Sequence, residues 1–154
     1  MKALRFATVP FALALLLATA GCELEEPSGR DKQDVVKQTS AACRALDLKL
    51  AKLIRPVELE ELAIFYEVVA GDIDTMLKKL DAFEPPSADL PDWNEFLGGI
   101  HQQRDLTREA ADAAVDKRAG KVSGAEGELR LAHERTNLAG RKYGVDTTCV
   151  NLPT

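Results

Sequence analysis

Eight apolar side chains, Leu59, Leu62, Tyr66, Val69, Ile73, Met76, Leu80 and Phe83, recur at alternating steps of three and four residues. A helical turn of about 3.6 residues gathers all eight on one face, whereas the two-residue period of a strand would scatter them over both. This stretch is therefore an amphipathic helix, and its stripe requires partners to cover it.

Three further segments carry the same period. Val36, Thr39, Cys43, Leu46, Leu50 and Leu53 line a helix expected from about Asp31 to Arg55, interrupted by Pro56. Pro56 suits the first turn of the second helix, where Glu58, Glu60 and Glu61 favour its positive end. Pro85, Pro86 and Pro91 force a connection, after which Asp92 and Glu95 form a capping box for a third helix. Its stripe is Trp93, Leu97, Ile100, Thr107, Ala111 and Ala114, broken by Arg104 and diluted by Gly98 and Gly99. Gly120 to Gly124 closes it, and Ser123 with Glu126 opens a fourth helix along Ala125, Leu129, Ala132, Thr136, Ala139 and Tyr143, with Gly144 as C-cap. No segment competes as a strand. The pattern predicts an all-α domain over 33–154, an antiparallel up-down-up-down four-helix bundle closed by a disulfide.

The chain has 154 residues and a formal charge of −5. Lys2 and Arg5 fall in the first 21 residues, which hold no acid, so the remainder sets 18 basic against 25 acidic residues, a net −7. So acidic a domain is unsuited to nucleic acid, whose phosphates require neutralising cations.

Residues 1–21 have the layout of an export signal: a basic start, a run rich in Phe, Ala, Val and Leu, and small residues at the end. The run is short for a membrane span and contains Pro10. Ala18-Thr19-Ala20 fits ordinary secretory cleavage, while Ala20-Gly21-Cys22 resembles the lipobox of bacterial lipoproteins. Plain secretion leaves three thiols, Cys22, Cys43 and Cys149, an odd number for an oxidising compartment; lipidation at Cys22 leaves Cys43 and Cys149 to pair. The lipoprotein resemblance implies a diacylglyceryl thioether on Cys22 and an acylated new amino terminus, and several acyl chains anchor stably where one would not. The competing readings are a secreted protein with a spare thiol and two buried free thiols. Residues 22–32 are acidic and hold Pro27 and Gly29 without apolar period, a flexible tether. If Cys43 and Cys149 pair, the tail after Gly144 must fold back along the bundle.

Motifs for chemistry are sparse. His101 and His133 fall on the third and fourth helices, but the positions three residues earlier are Gly98 and Arg130 where di-iron bundles carry Glu. A metal or haem carrier would require His101, His133 or Met76 to converge. There is no Gly-x-Ser-x-Gly, no phosphate-cradling glycine loop and no Cys-x-x-Cys-His. Glu58, Glu60, Glu61, Glu67, Asp72 and Asp74 form an acidic side that either takes a basic partner or is merely solvated. Arg104, with Gln103 and Thr107 nearby, marks a candidate ligand cleft or a partly buried, paired arginine that fixes helix register; Trp93, beside the proline loop, is a candidate partner anchor or a cap on the bundle end.

Ala42-Cys43, Glu84-Pro85-Pro86 and Tyr143-Gly144-Val145 shortly before Cys149 resemble a loose group of small actinobacterial exported or lipid-anchored helical proteins, over residues 33 to 150. The usual Gly-Asp connection between the last two helices is replaced by Gly120-Lys121-Val122-Ser123. The resemblance implies no catalytic residue and no cofactor. The expectation is a non-catalytic cell-envelope lipoprotein, held to the membrane at Cys22, whose helical domain binds an unidentified envelope or secreted protein or a small ligand. The alternative is an extracytoplasmic metal or haem carrier.

Overall fold

The computed structural model describes residues 31–145 and 149–152. The expected signal segment 1–21, Cys22 and the expected tether as far as residue 30 lie outside the described residues. Four helices, α1 (Lys32–Leu50), α2 (Leu59–Leu80), α3 (Leu90–Val115) and α4 (Ala119–Tyr143), form an all-α domain with no strand among the described residues.

The Asp31 side chain caps α1 by accepting from the Gln33 N–H. The buried face is Val35, Thr39, Cys43, Leu46 and Leu50, so Val35 replaces the expected Val36, which is only partly buried. The helix ends at Leu50, short of the expected Arg55, because the chain must leave the helical region before Pro56. Pro56 accordingly precedes α2 instead of starting it. In α2 the stripe from Leu62 to Leu80 is buried as expected, and Ala63, Phe65, Ala70 and Leu77 widen it. A helix buried over so broad an arc packs on more than one neighbour.

A 3-10 turn, Ser87–Asp89, leads into α3, which has Pro91 in its first turn and no side-chain cap. The expected Asp92 and Glu95 capping box is absent: Asp92 lies inside the first turn, and both carboxylates bind Lys142, at 2.8 and 3.1 Å. The end of α3 also departs from expectation. Lys117 takes the left-handed conformation (φ 56°), with its N–H on the Ala114 carbonyl and the Arg118 N–H on that of Ala113. Because the turn is completed there, α4 starts at Ala119, and Gly120, Ser123 and Gly124 lie inside the helix instead of forming the expected turn. Interior glycines cost about 1 kcal/mol each, a penalty that burial of Val122, Ala125 and Leu129 on the same helix offsets. Gly144 ends α4 as expected, at φ 114°, with its own N–H and that of Val145 on the Gly140 carbonyl.

α3 packs most extensively against α4, then against α2, and α1 meets α2 along a thinner seam. The partners are ordered. Phe83 meets Trp93, Asp81 meets His101, Asp74 meets Arg104 and Arg108, and Glu60 meets Lys117, so numbers fall along α2 as they rise along α3. Between α3 and α4 the pairs Asp92 with Lys142, Phe96 with Gly140, and Gln103 with Thr136 follow the same reversal. This seam depends on missing side chains: a Cβ on Gly99 would stand 3.1 Å from Thr136 Cβ, and one on Gly140 3.0 Å from the Phe96 ring.

Cys43 and Cys149 form a disulfide with Cα atoms 4.7 Å apart and 106 residues of separation. From Gly144 against Val36, to Cys149 at Cys43, to the Asn151 N–H on Asp47 Oδ1 at 3.0 Å, the tail follows α1 in its own direction. That is the expected return along the bundle.

Candidate functional site

Where the α1–α2 connection, α2, α3, α4 and the returning tail meet, they border a half-open cavity of about 390 Å³, within the range of small-molecule sites. Phe65, Leu129, Val150 and Leu152 give it apolar walls, and Gln103, Glu126 and His133 bring polar groups to it. Each polar group is fixed by a neighbour. Gln103 is 1% exposed, and its amide donates to Thr136 Oγ1 at 2.9 Å. The Thr136 hydroxyl in turn donates to the Ala132 carbonyl at 2.7 Å, so the pair locks α3 to α4 through a satisfied buried network.

On another wall, the Glu126 carboxylate accepts from the Tyr66 hydroxyl and from Arg55 Nη2. Burial, with the bond to Glu126 behind it, pushes the Tyr66 phenol up to about 12. The hydrogen bond to Glu126 likewise raises Arg55. The phenol therefore stays a neutral donor and the guanidinium a cation through the whole physiological range. His133 Nε2 pairs with the Asn137 amide at 2.8 Å, while its Nδ1 is buried without a partner.

The tail lines the cavity under constraint. Val150 is 1% exposed and adopts φ 61°, a left-handed conformation costly for a β-branched residue. The disulfide on one side and the Asn151 to Asp47 bond on the other hold it there. Backbone held against its preference in this way concentrates at binding and catalytic sites.

The residues singled out from sequence fare differently. Arg104 does not line this cavity: it is tied to Asp105 at 2.7 Å and Asp74 at 3.6 Å, and those bonds, Asp105 foremost, raise it. The polar residue that enters the core is its neighbour Gln103. Trp93 is 3% exposed among Phe83, Phe96 and Tyr143, so it caps the bundle end and offers no surface to a partner. His101 turns to Asp81 at 3.3 Å and His133 to Asn137, while Met76 is buried on α2; among the described residues no three His, Cys, Asp or Glu cluster to hold a metal. Three of the six acids on the acidic side of α2 are paired by neighbours, with Glu60, Asp72 and Asp74 taking Lys117, Lys49 and Arg108.

Sequence reasoning missed the Arg55, Tyr66 and Glu126 clasp. One signal was present: a tyrosine on a core stripe requires a partner for its hydroxyl. Glu126, beside the buried Ala125, is within reach of that role, whereas its spacing from Ser123 points to a cap.

No known protein family, no curated protein and no solved structure matches this chain. No helix among the described residues is long and apolar enough to cross a membrane.

Proposed function

We propose that the chain is a cell-envelope lipoprotein of a non-catalytic kind, anchored through a lipid on Cys22 and using its helical domain to hold a small ligand outside the cytoplasmic membrane. The observation that carries the ligand reading is the strapped cavity, with apolar walls, a fixed amide at Gln103 and a fixed carboxylate at Glu126. Those groups suit recognition more than turnover. Tyr66 and Arg55, both shifted further from neutrality, stay a neutral donor and a cation beside the Glu126 carboxylate.

The partner reversals along the α2–α3 and α3–α4 seams and the short connections support an antiparallel up-down-up-down bundle, in which the tail must return past the start of α1 to reach Cys43. The anchor rests on the sequence: Ala20-Gly21-Cys22 supplies the lipobox pattern, and the pairing of the other two cysteines leaves Cys22 unmatched.

Native mass spectrometry of chain extracted from its own membranes tests both halves. The account expects a lipid mass on Cys22, lost together with membrane fractionation in Cys22→Ala, and a small non-covalent adduct that weakens in Gln103→Leu. Unchanged fractionation of Cys22→Ala refutes the anchor. An adduct-free chain from every preparation refutes the ligand reading.

A further inference from the structure

A second concavity, about 460 Å³ and open to solvent, lies on the other side of α1, where that helix meets the end of α4. Gln33, Lys37, Ser40 and Arg44 fall at steps of four, three and four residues, so α1 presents all four on one face. Tyr143 and Gly144 form the opposite wall, and Lys32 stands at its end.

The charge here runs against that of the whole molecule, which is acidic. Lys32 is already engaged, with its ammonium 2.6 Å from Asp89 and 5.0 Å from the centre of the Tyr143 ring. Lys37 and Arg44 have no acidic partner among the described residues and leave this face with two uncompensated cations. Two hydroxyls add an independent sign. Ser40 is 4% exposed and Tyr143 fully buried, yet neither side-chain oxygen has a hydrogen-bond partner. A buried hydroxyl without a partner is destabilising, so two on the wall of one groove call for an explanation. Burial, and less strongly the nearby Asp89, pushes the Tyr143 phenol up to about 12, which keeps it a neutral donor.

We propose that this groove binds a phosphate-bearing anion, with Arg44 and Lys37 meeting its charge and the Ser40 hydroxyl turning to donate to one of its oxygens. A guanidinium, an ammonium and a hydroxyl spaced along one helix face suit a tetrahedral group with several acceptor oxygens. A single carboxylate would engage only part of that set. The phosphate can be that of a soluble ester or of a phospholipid headgroup. On the anchored reading the second is within range, because the ten residues from Cys22 to Lys32 span up to about 35 Å when extended.

The full mature chain in non-ionic detergent is titrated calorimetrically with inorganic phosphate, glycerol 3-phosphate and dihexanoyl phosphatidylglycerol. The proposal expects saturable one-to-one binding of at least one of these, weakened about tenfold or more by Lys37→Ala or Arg44→Ala and by a smaller factor in Ser40→Ala. Lys52→Ala, which removes an exposed cation elsewhere, leaves it unchanged. Binding of the lipid alone assigns the groove to a headgroup, and binding of all three to the phosphate itself. No binding, or equal losses in Lys52→Ala and Lys37→Ala, overturns the proposal. Lys37 and Arg44 are exposed, so circular dichroism of the variants should match that of the parent and separate lost binding from lost folding. None of these readouts depends on the Gln103 cavity, so either site can fail alone.

Discussion

The two ends of the helix order are held by different means. α3 and α4 close on each other through what their seam lacks: Gly99 and Gly140 remove side chains where Thr136 and Phe96 need room, and Gln103 donates to Thr136 across the gap. α1 approaches α2 less closely; it buries Val35, Leu46 and Leu50 in the shared core, and Cys43 to Cys149 with the tail that follows adds a covalent hold. One region is closed by packing that begins with local contacts, the other by a covalent link across 106 residues. The lesson is that a helix with a well-formed apolar stripe can still depend on a staple when its neighbour has spent most of its surface elsewhere.

The largest expected effect comes from cutting that staple. Replacing both cysteines by serine should cost about 4 to 5 kcal/mol in the chain-entropy picture, read by urea unfolding, because the loop it closes is long. Gly99→Val attacks the other region. Its side chain would drive into Thr136 and should cost about 3 kcal/mol, with the loss spread over α3 and α4 and α1 little affected. Glu126→Ala opens the clasp between the α1–α2 connection, α2 and α4, leaves the Tyr66 hydroxyl and Arg55 without their acceptor, and should cost about 2 kcal/mol. Its thermal midpoint, compared with that of Tyr66→Phe, separates the carboxylate's loss from the hydroxyl's.

Alkaline titration gives a smaller and directional effect. The Tyr66 phenol lies at about 12 in the folded chain against 10.0 otherwise, so the protonated form is favoured by folding. Its contribution is fully present below about pH 10 and declines as the pH rises towards 12, and Tyr143 adds in the same sense. Unfolding midpoints of a Tyr66→Phe, Tyr143→Phe double variant should fall less steeply over that window than those of the parent. The smallest change is a gain: Lys117→Gly relieves the left-handed backbone between α3 and α4 and should stabilise by about 1 kcal/mol, less a little for the exposed pair with Glu60.

The sequence was most legible where period and burial agree. α2 kept its stripe from Leu62 to Leu80, and α4 kept Ala125, Leu129, Ala132, Thr136, Ala139 and Tyr143, because a face buried along its length leaves a phase that single residues cannot hide. Ends were harder to place. Gly120 and Gly124 look like breakers in a sequence, but the turn was already made by Lys117, whose left-handed backbone has no strong sequence signature. The polar break in α3 is visible as Arg104 with Gln103 and Thr107, but not how the three divide: Arg104 reaches outward to Asp74 and Asp105, whereas Gln103, shorter and neutral, is buried once Thr136 accepts from it. The cavity was not legible, since its walls come from the α1–α2 connection, three helices and the tail, and no local pattern states that Arg55, Tyr66 and Glu126 will meet.

Amide hydrogen exchange on the oxidised and reduced forms of the chain, followed helix by helix, tests the contrast between the two regions most directly. Reduction should release α1 and the tail to fast exchange while α3 and α4 keep their protection. Equal loss of protection across all four helices, or none in α1, would contradict the view that one disulfide holds α1 to a core that stands without it.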